Sequence, residues 1–254
     1  RMVGLGVQLP PGVAVSQGGL IGRVERSEAA RNVNAMEERL VTDVQVDAST
    51  EDEAIIVPGL LYGLGLSRGE PAVNGVFPAA GRSLTQQDAG AATAVLERGF
   101  AMHYGLPAEG QIRVSGGQTL KYVGQVITPE YFVVTTERGG LLAQANFAAV
   151  FTSIETAQQL SGRSGQVNDL LLTLRPGVDR ESMRQSLREA FSSGELLDVT
   201  ITAREEDPAF RLIDRDIEGD QRLFRIFALL ILAGAVSAAF NLSARIVDAQ
   251  RREI

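Results

Sequence analysis

The sequence predicts an α+β protein of two lobes, followed by a long helix that runs into an apolar segment, and three observations carry this reading. Residues 146–201 follow a β-α-β-α-β pattern, residues 55–77 are apolar and punctuated by glycine, and residues 226–242 form a run of 17 without a charge. The first implies helices packed on a sheet, the second a more β-rich lobe, and the third a segment too apolar for an ordinary surface helix. With 254 residues, of which 44% are hydrophobic and 22% charged, the chain belongs to the ordered globular class. It is long enough to bury a core as one large domain or two lobes without disulfide or metal staples.

Taken in order, Ser27 is a suitable N-cap for a helix through Leu40, with Val33, Met36 and Leu40 on one face. Val44, Val46 and Ala48 then alternate as a strand. From Ile55 to Phe77 the glycines suggest short strands and turns, ended by a loop at Gly81-Arg82-Ser83-Leu84. Residues 111–114 and 120–123 flank Gly116-Gly117, a dipeptide suited to the positive φ angles of a tight hairpin. Residues 146–151 read as a strand, and Thr152 and Glu155 have capping-box spacing for a helix ending near Gly162. A strand over 168–174 follows. Pro176-Gly177 turns the chain, and Asp179 caps a helix with Met183, Leu187 and Phe191 on one face. Leu197, Val199 and Ile201 alternate as a further strand, giving an α+β or α/β lobe beside the β-rich middle of the chain.

Beyond that strand, Glu205-Glu206-Asp207 precede Pro208, an acidic cap before a proline at the first helical position. Phe210, Ile213, Ile217 and Phe224 form a narrow stripe at coiled-coil-like spacing, and no proline follows Pro208. One continuous helix of about 45 residues would span about 65 Å, half of it as a stalk outside a bilayer. The alternative is an amphipathic helix packed on its own domain and bent at Gly219. The run of 17 residues lies at the short end of the roughly 17–25 that a transmembrane helix needs, unless Leu223 and Phe224 extend it past a snorkelling Arg225. A helix buried in a soluble core is the competing reading. Gly234 and Ala238, beside Ala235 and Ala239, repeat small residues at a spacing of four, and Asn241 can donate a hydrogen bond between helices, so the span is expected to pack against others. Arginines flank it on both sides and leave its orientation undecided. Residues 1–22, broken by Gln8, Pro10, Pro11, Ser16 and Gln17, read as neither signal peptide nor span. The sequence stops at Arg251-Arg252-Glu253-Ile254, just past the helix, as expected of a piece of a longer membrane protein.

The composition removes several chemistries. The chain has no cysteine, which excludes disulfides, a thiolate nucleophile and Cys-ligated zinc or iron-sulfur clusters. Its one histidine, His103, sits among apolar neighbours and is assigned no role. A net charge of -7 argues against nucleic acid as a partner. Gly4-Leu-Gly6 and Gly63-Leu-Gly65 lack the downstream glycine of a dinucleotide loop, and no Gly-Lys-Ser/Thr is present. The acidic runs Glu51-Asp52-Glu53 and Glu205-Glu206-Asp207 lack an EF-hand pattern and read as solvated loops. No catalytic, cofactor or metal site is expected.

Four segments, taken in order, carry a family resemblance: Gly81-Arg82-Ser83-Leu84; residues 96–106 (LERGFAMHYGL); residues 122–132 (YVGQVITPEYF) with Pro129-Glu130-Tyr131; and the apolar helix leading to Arg252-Glu253-Ile254. Together they resemble ABC-transporter permeases of the FtsX/MacB type. The resemblance implies a two-lobed extracytoplasmic core domain over residues 1–205, with an α/β lobe near the membrane and a more β-rich lobe inserted at roughly 50–145. It further implies a stalk over 206–225, a transmembrane helix over 226–247, and the start of a cytoplasmic coupling region at 248–254, where Arg251, Arg252 and Glu253 lie. The parent would be a multi-pass protein of the cell membrane. Its partners would be a cytoplasmic ABC ATPase, other permease helices, a second permease protomer or half, and membrane lipid. The implied function is noncatalytic: ATP hydrolysis elsewhere would be coupled through the stalk to extracytoplasmic movement. That movement would export or extract a hydrophobic, lipid-linked or peptide substrate, or activate a cell-wall enzyme. The alternative is a membrane-anchored sensor or binding domain without an ATPase. A third reading is an extracytoplasmic enzyme using His103 or an acidic cluster.

Overall fold

A computed structural model describes residues 4–51, 53–67, 71, 73–131, 146–192, 198–203, 227–236 and 239. In chain order the elements are β1 (Leu5–Gln8), β2 (Val15–Ser16), α1 (Gly19–Glu25), β3 (Val33–Asp47), β4 (Ile56–Leu64), β5 (Phe77–Gly81), β6 (Thr93–Glu97) and α2 (Arg98–His103). They continue as β7 (Gly110–Val114), β8 (Gln118–Ile127), β9 (Ala148–Ser153), α3 (Ile154–Ser161), β10 (Gln166–Val167), β11 (Asp169–Leu174), α4 (Arg180–Phe191) and β12 (Thr200–Ala203). Nine strands follow one another in a mixed sheet, β12-β1-β11-β3-β4-β9-β6-β8-β5, and β7 joins both β3 and β8. The fold is α+β, as the sequence predicts.

The largest departure from the sequence reading lies at β3. Ser27 does cap a helix, accepting from Ala29 N, but that helix is a single 3-10 turn over Glu28–Asn32. Val33, Met36 and Leu40 then lie on a 15-residue strand, not on a helix face. Two ladders outweigh the local helical spacing. The first half of β3 pairs antiparallel with β11 from Val33↔Leu174 to Arg39↔Asp169, and the second half pairs with β4 from Leu40↔Gly63 to Asp47↔Ile56. Val33, Val41, Thr42, Val44 and Val46, all β-branched, suit that extended backbone.

Strand β7 pairs with β8 and, at Val46↔Val114 and Asp47↔Arg113, with the end of β3. It thereby closes β3, β4, β9, β6, β8 and β7 into a ring. The ring's interior follows the period of two: Leu40 and Val46, Val57 and Leu61, Ala148 and Val150, Ala94 and Leu96, Leu120 and Tyr122, and Ile112 and Val114 form one buried cluster. Phe100 and Ala101 of α2 and Ala157 of α3 join it. The Gly116-Gly117 hairpin is present as predicted, with φ of 83° and 74°. The stretch from Ile55 to Phe77 contains one nine-residue strand, β4, where shorter strands were expected.

The other part of the domain packs α1 and α4 on β1, β11, β12 and the first half of β3. Met183, Leu187 and Phe191 of α4 are fully buried, and Asp179 caps the helix through Ser182 N, both as predicted. The β-α-β-α-β order is present as β9, α3, β11, α4 and β12, but its strands are not neighbours: β4 and β3 separate β9 from β11, and β1 separates β11 from β12. Nothing in the local pattern of residues 1–22 marks β1 or α1. The cap of α3 also shifts by one residue. Ser153 accepts from Thr156 N, while the Thr152 hydroxyl donates across strands to Thr93 O.

Residues 210–254 form a separate unit. Within it, residues 227–236 are helical, and Phe227, Leu229, Leu230, Ile231, Leu232 and Val236 are all exposed. Among the described residues no helix is long and apolar enough to cross a membrane. The predicted stalk over 206–225 and half of the predicted span over 226–247 lie outside the described residues.

Parallel pairing of β4 with β9 leaves no room for a side chain at one point. A Cβ built on Gly59 would stand 2.3 Å from the Ala148 carbonyl oxygen. Gly59→Ala is therefore expected to lower stability by about 3 kcal/mol, because backbone rather than a side-chain tip must move. A urea midpoint unchanged from the parent would contradict this.

Candidate functional site

Just before β3 changes partners, Glu38 and Arg39 are both buried and both charged, and they face opposite sides of the sheet. The Glu38 carboxylate accepts from the amides of Gly18, Leu20 and Ile21, so a side chain from β3 caps the start of α1. This satisfies donors that a helix N-terminus cannot satisfy internally.

Arg39 points to the other face and ties three segments together. Its Nε donates to Asp169 Oδ2 at 2.7 Å and its Nη2 lies 2.7 Å from the same oxygen, closing a fork on β11. Its Nη1 donates to Glu130 Oε1 at 2.7 Å, in the 3-10 turn Pro129–Tyr131 that follows β8. The Asn74 side-chain amide donates to that same Glu130 oxygen, and Asn74 adopts a φ of 51°, uncommon outside glycine. The guanidinium also lies 5.1 Å from the ring centroid of Tyr62, which stacks on Phe151, its register partner on β9, with centroids 5.1 Å apart. Burial opposes the charge on Arg39, but the Asp169 and Glu130 carboxylates outweigh it and hold the group cationic. Burial raises the Asp169 carboxyl, and the nearby Glu130 adds to that rise against the pull of Arg39.

Three of the four segments that carry the family resemblance, residues 81–84, 96–106 and 122–132, meet one another. The Arg82 amide donates to Val123 O at 2.9 Å, and a Cβ on Gly124 would stand 2.1 Å from Arg82 O, so both segments require glycine at their crossing. Gln125 Nε2 donates to Leu106 O at 2.9 Å and to Pro107 O at 3.1 Å, tying residues 96–106 to the same point. Glu97, buried, accepts from Gly99 N and Phe100 N and so caps α2. Its carboxyl is raised by burial, with those amides opposing. Arg82 forks onto Asp88 at 2.7 and 2.8 Å. That fork holds the Asp88 carboxyl down to about 2, against burial and with help from the Thr85 amide and hydroxyl. Among the residues that sequence reasoning singled out, Glu130 in Pro129-Glu130-Tyr131 reaches this site. Its partners Arg39, Asp169 and Asn74 had no sequence signal beyond being polar residues within apolar strands or turns.

His103 is exposed on α2, its ring edge-on to Tyr104 with centroids 4.8 Å apart. Among the described residues no group of three or more His, Asp or Glu is placed to hold a metal. Gly234 lies in the helical run 227–236. Phe210, Ile213, Ile217, Phe224, Ala238, Asn241, Arg251, Arg252 and Glu253 lie outside the described residues. A groove of about 920 Å³ opens where β11 stops beside β3. Val41, Leu60 and Phe191 line it, with Asp43, Arg163, Arg188 and Asp198 supplying charges of both signs.

The sheet closes partly into a ring and carries helices on its open part. The periplasmic region of MacB from Actinobacillus actinomycetemcomitans aligns over 85% of this chain and 94% of its own length, with a TM-score of 0.51 at 12% identity. The chain thus has the fold of a MacB-like periplasmic domain. The extracellular domain of the noncanonic ABC-type transporter YknZ from Gram-positive bacteria aligns over 80% of this chain and 100% of its own, with a TM-score of 0.48 at 10% identity. No protein-family model and no curated protein matches the sequence.

Two expectations follow. Arg39→Ala strands the buried Asp169 carboxylate and the half-buried Glu130 carboxylate and should cost about 3–5 kcal/mol, read from chemical denaturation; a cost below about 1 kcal/mol would mean the network is not holding the sheet. Because the Asp88 carboxyl is depressed in the folded state, its stabilisation is complete above the ordinary value of 3.8 and is lost as pH falls towards about 2. Asp88→Asn should flatten the stability profile between about pH 4 and pH 2 in thermal melts. Some slope should remain, because the Ser49 and Arg113 hydrogen bonds hold Asp47 down to about 2 as well.

Proposed function

We propose that this chain is the extracytoplasmic domain and following membrane segment of an ABC-transporter permease, a noncatalytic part that converts ATP hydrolysis in a cytoplasmic partner into movement outside the membrane. The observation that carries the proposal is the shared fold with the MacB periplasmic region over most of both chains. The charge-free run at 226–242, with the apolar side chains of its described helical residues exposed on all sides, supports a lipid environment for the segment that follows the domain. On this reading residues 1–205 are the core domain, with a variable lobe at roughly 50–145. Residues 206–225 form a stalk, residues 226–247 span the membrane, and residues 248–254 begin the cytoplasmic coupling region.

In this mechanism the stalk stripe Phe210, Ile213, Ile217 and Phe224 keeps the helix continuous from domain to bilayer. Gly234, Ala238 and Asn241 seat the span against other permease helices, including those of a second protomer or half. Arg251, Arg252 and Glu253 stand where the chain reaches the ATPase. The span carries no ionisable side chain between residues 226 and 242, which suits a relay of motion better than a polar substrate path. The cargo class is a hydrophobic, lipid-linked or peptide molecule, or an extracytoplasmic enzyme to be activated.

The test is to purify the full-length parent from its native membrane in mild detergent and assay for a co-purifying ATPase whose turnover depends on it. Recovery of such an ATPase supports the permease reading, and repeated recovery without one favours a sensor or binding ectodomain. Ile217→Pro should leave expression intact but uncouple ATP turnover from the transported or activated output, since it breaks the stalk at a cost of about 3 kcal/mol. Coupling that survives the substitution would reject a rigid stalk.

A further inference from the structure

The two carboxylates around Arg39 are held in different ways. Asp169 is fixed by the ladder itself, because it is the register partner of Arg39 on β11. Glu130 stands in a short turn. Among the described residues, the hydrogen bonds from that turn to other segments run through a single oxygen, Glu130 Oε1, which accepts from Arg39 Nη1 and Asn74 Nδ2. Among the described residues its other hydrogen bond is local, from its own amide to Thr128 Oγ1 at 3.5 Å, too long to hold the turn. The Glu130 side chain also retains 18% of its exposure, twice the 9% of Asp169.

The charge count separates the two contacts further. Arg39 with Asp169 is a neutral pair. Docking Glu130 brings a second negative charge beside the first around one cation, leaving the site one negative charge in excess. In a buried setting such an excess costs free energy, and the Asn74 amide offsets it only as a neutral donor. The docked turn therefore gains two charge-assisted hydrogen bonds and pays in carboxylate repulsion, whereas the released turn leaves a self-sufficient pair behind. Such opposing terms are what an element with two arrangements requires.

We propose that the Pro129–Tyr131 turn is a detachable latch, docked on the sheet through Glu130 and able to leave Arg39 and Asp169 paired when it lets go. The latch sits where β3 passes from β11 to β4, so its release frees the end of β8 from the open part of the sheet without breaking either ladder. It is a property of the domain and holds whether or not the protein works with an ATPase.

Hydrogen exchange by mass spectrometry on the whole 254-residue chain in mild detergent tests it. Glu130→Ala should speed exchange of the amides over residues 127–131 by about tenfold or more, while amides of residues 169–174 change by less than about twofold. Glu130→Gln keeps an acceptor for Arg39 and Asn74 but removes the excess charge, and should slow exchange over 127–131 below the parent rate. If Glu130→Ala accelerates both regions equally, Glu130 is part of the sheet's general stability and the latch is overturned. If Glu130→Ala changes neither region, the turn is not held by this contact. If Glu130→Gln exchanges as fast as Glu130→Ala, the charge argument fails.

Discussion

The domain is organised by a single strand with two successive partners. β3 gives its first half to β11 and its second half to β4, and the handover falls between Arg39 and Leu40. Most other elements of residues 1–209 belong to one side of that point. β1, β11, β12, α1 and α4 share one apolar cluster, and the ring of β4, β9, β6, β8 and β7 surrounds another. α3 touches both, with Ile154 in the first cluster and Ala157 in the second. A change in the register of β3 would turn the interior of the ring outwards, because side chains alternate with a period of two.

Polar groups pin that handover from both faces. Glu38 fixes α1 on one side, and Arg39 fixes β11 and the Glu130 turn on the other. Buried charge is seldom the cheapest way to stabilise a core, since well-packed apolar residues often do as well or better. What ionic contacts supply here is direction. A guanidinium fork specifies which oxygen sits where, and an apolar patch would tolerate sliding of β3 against β11. The same logic applies at Gly59, Gly63 and Gly124, where a Cβ would lie 2.3, 2.6 and 2.1 Å from the nearest atom, so backbone and helix approach only in one arrangement.

The family resemblance has a physical basis in this geometry. Gly81-Arg82, residues 96–106 and residues 122–132 are far apart in sequence, yet the structure brings them together at Val123, Gly124 and Gln125. Their side chains cap helices, close a turn and leave space for a crossing backbone. These motifs describe how the domain is built.

Local chemistry made part of this legible from the sequence. Asp179 before Met183, Leu187 and Phe191 and Gly116-Gly117 between alternating strands depend on contacts within a few residues, so periodicity and turn chemistry determined them; the strands expected at 146–151 and 168–174 were marked by their apolar runs, although their ladders go to β4 and β6 and to β1 and β3. The charge-free run at 226–242 and the absence of cysteine are likewise properties of the sequence itself. Residues 33–40 went the other way. Their spacing suits a helix as well as a strand, and only two long-range ladders, to partners about 20 and 140 residues later, decided for the strand. The cap on α1 comes from 17 to 20 residues away, and the partners of Arg39 from 91 and 130, distances that no local pattern can encode. Sequence determined the elements whose hydrogen bonds close locally, and tertiary structure alone decided which buried charge meets which, because that depends on strands that become neighbours only when the sheet is complete.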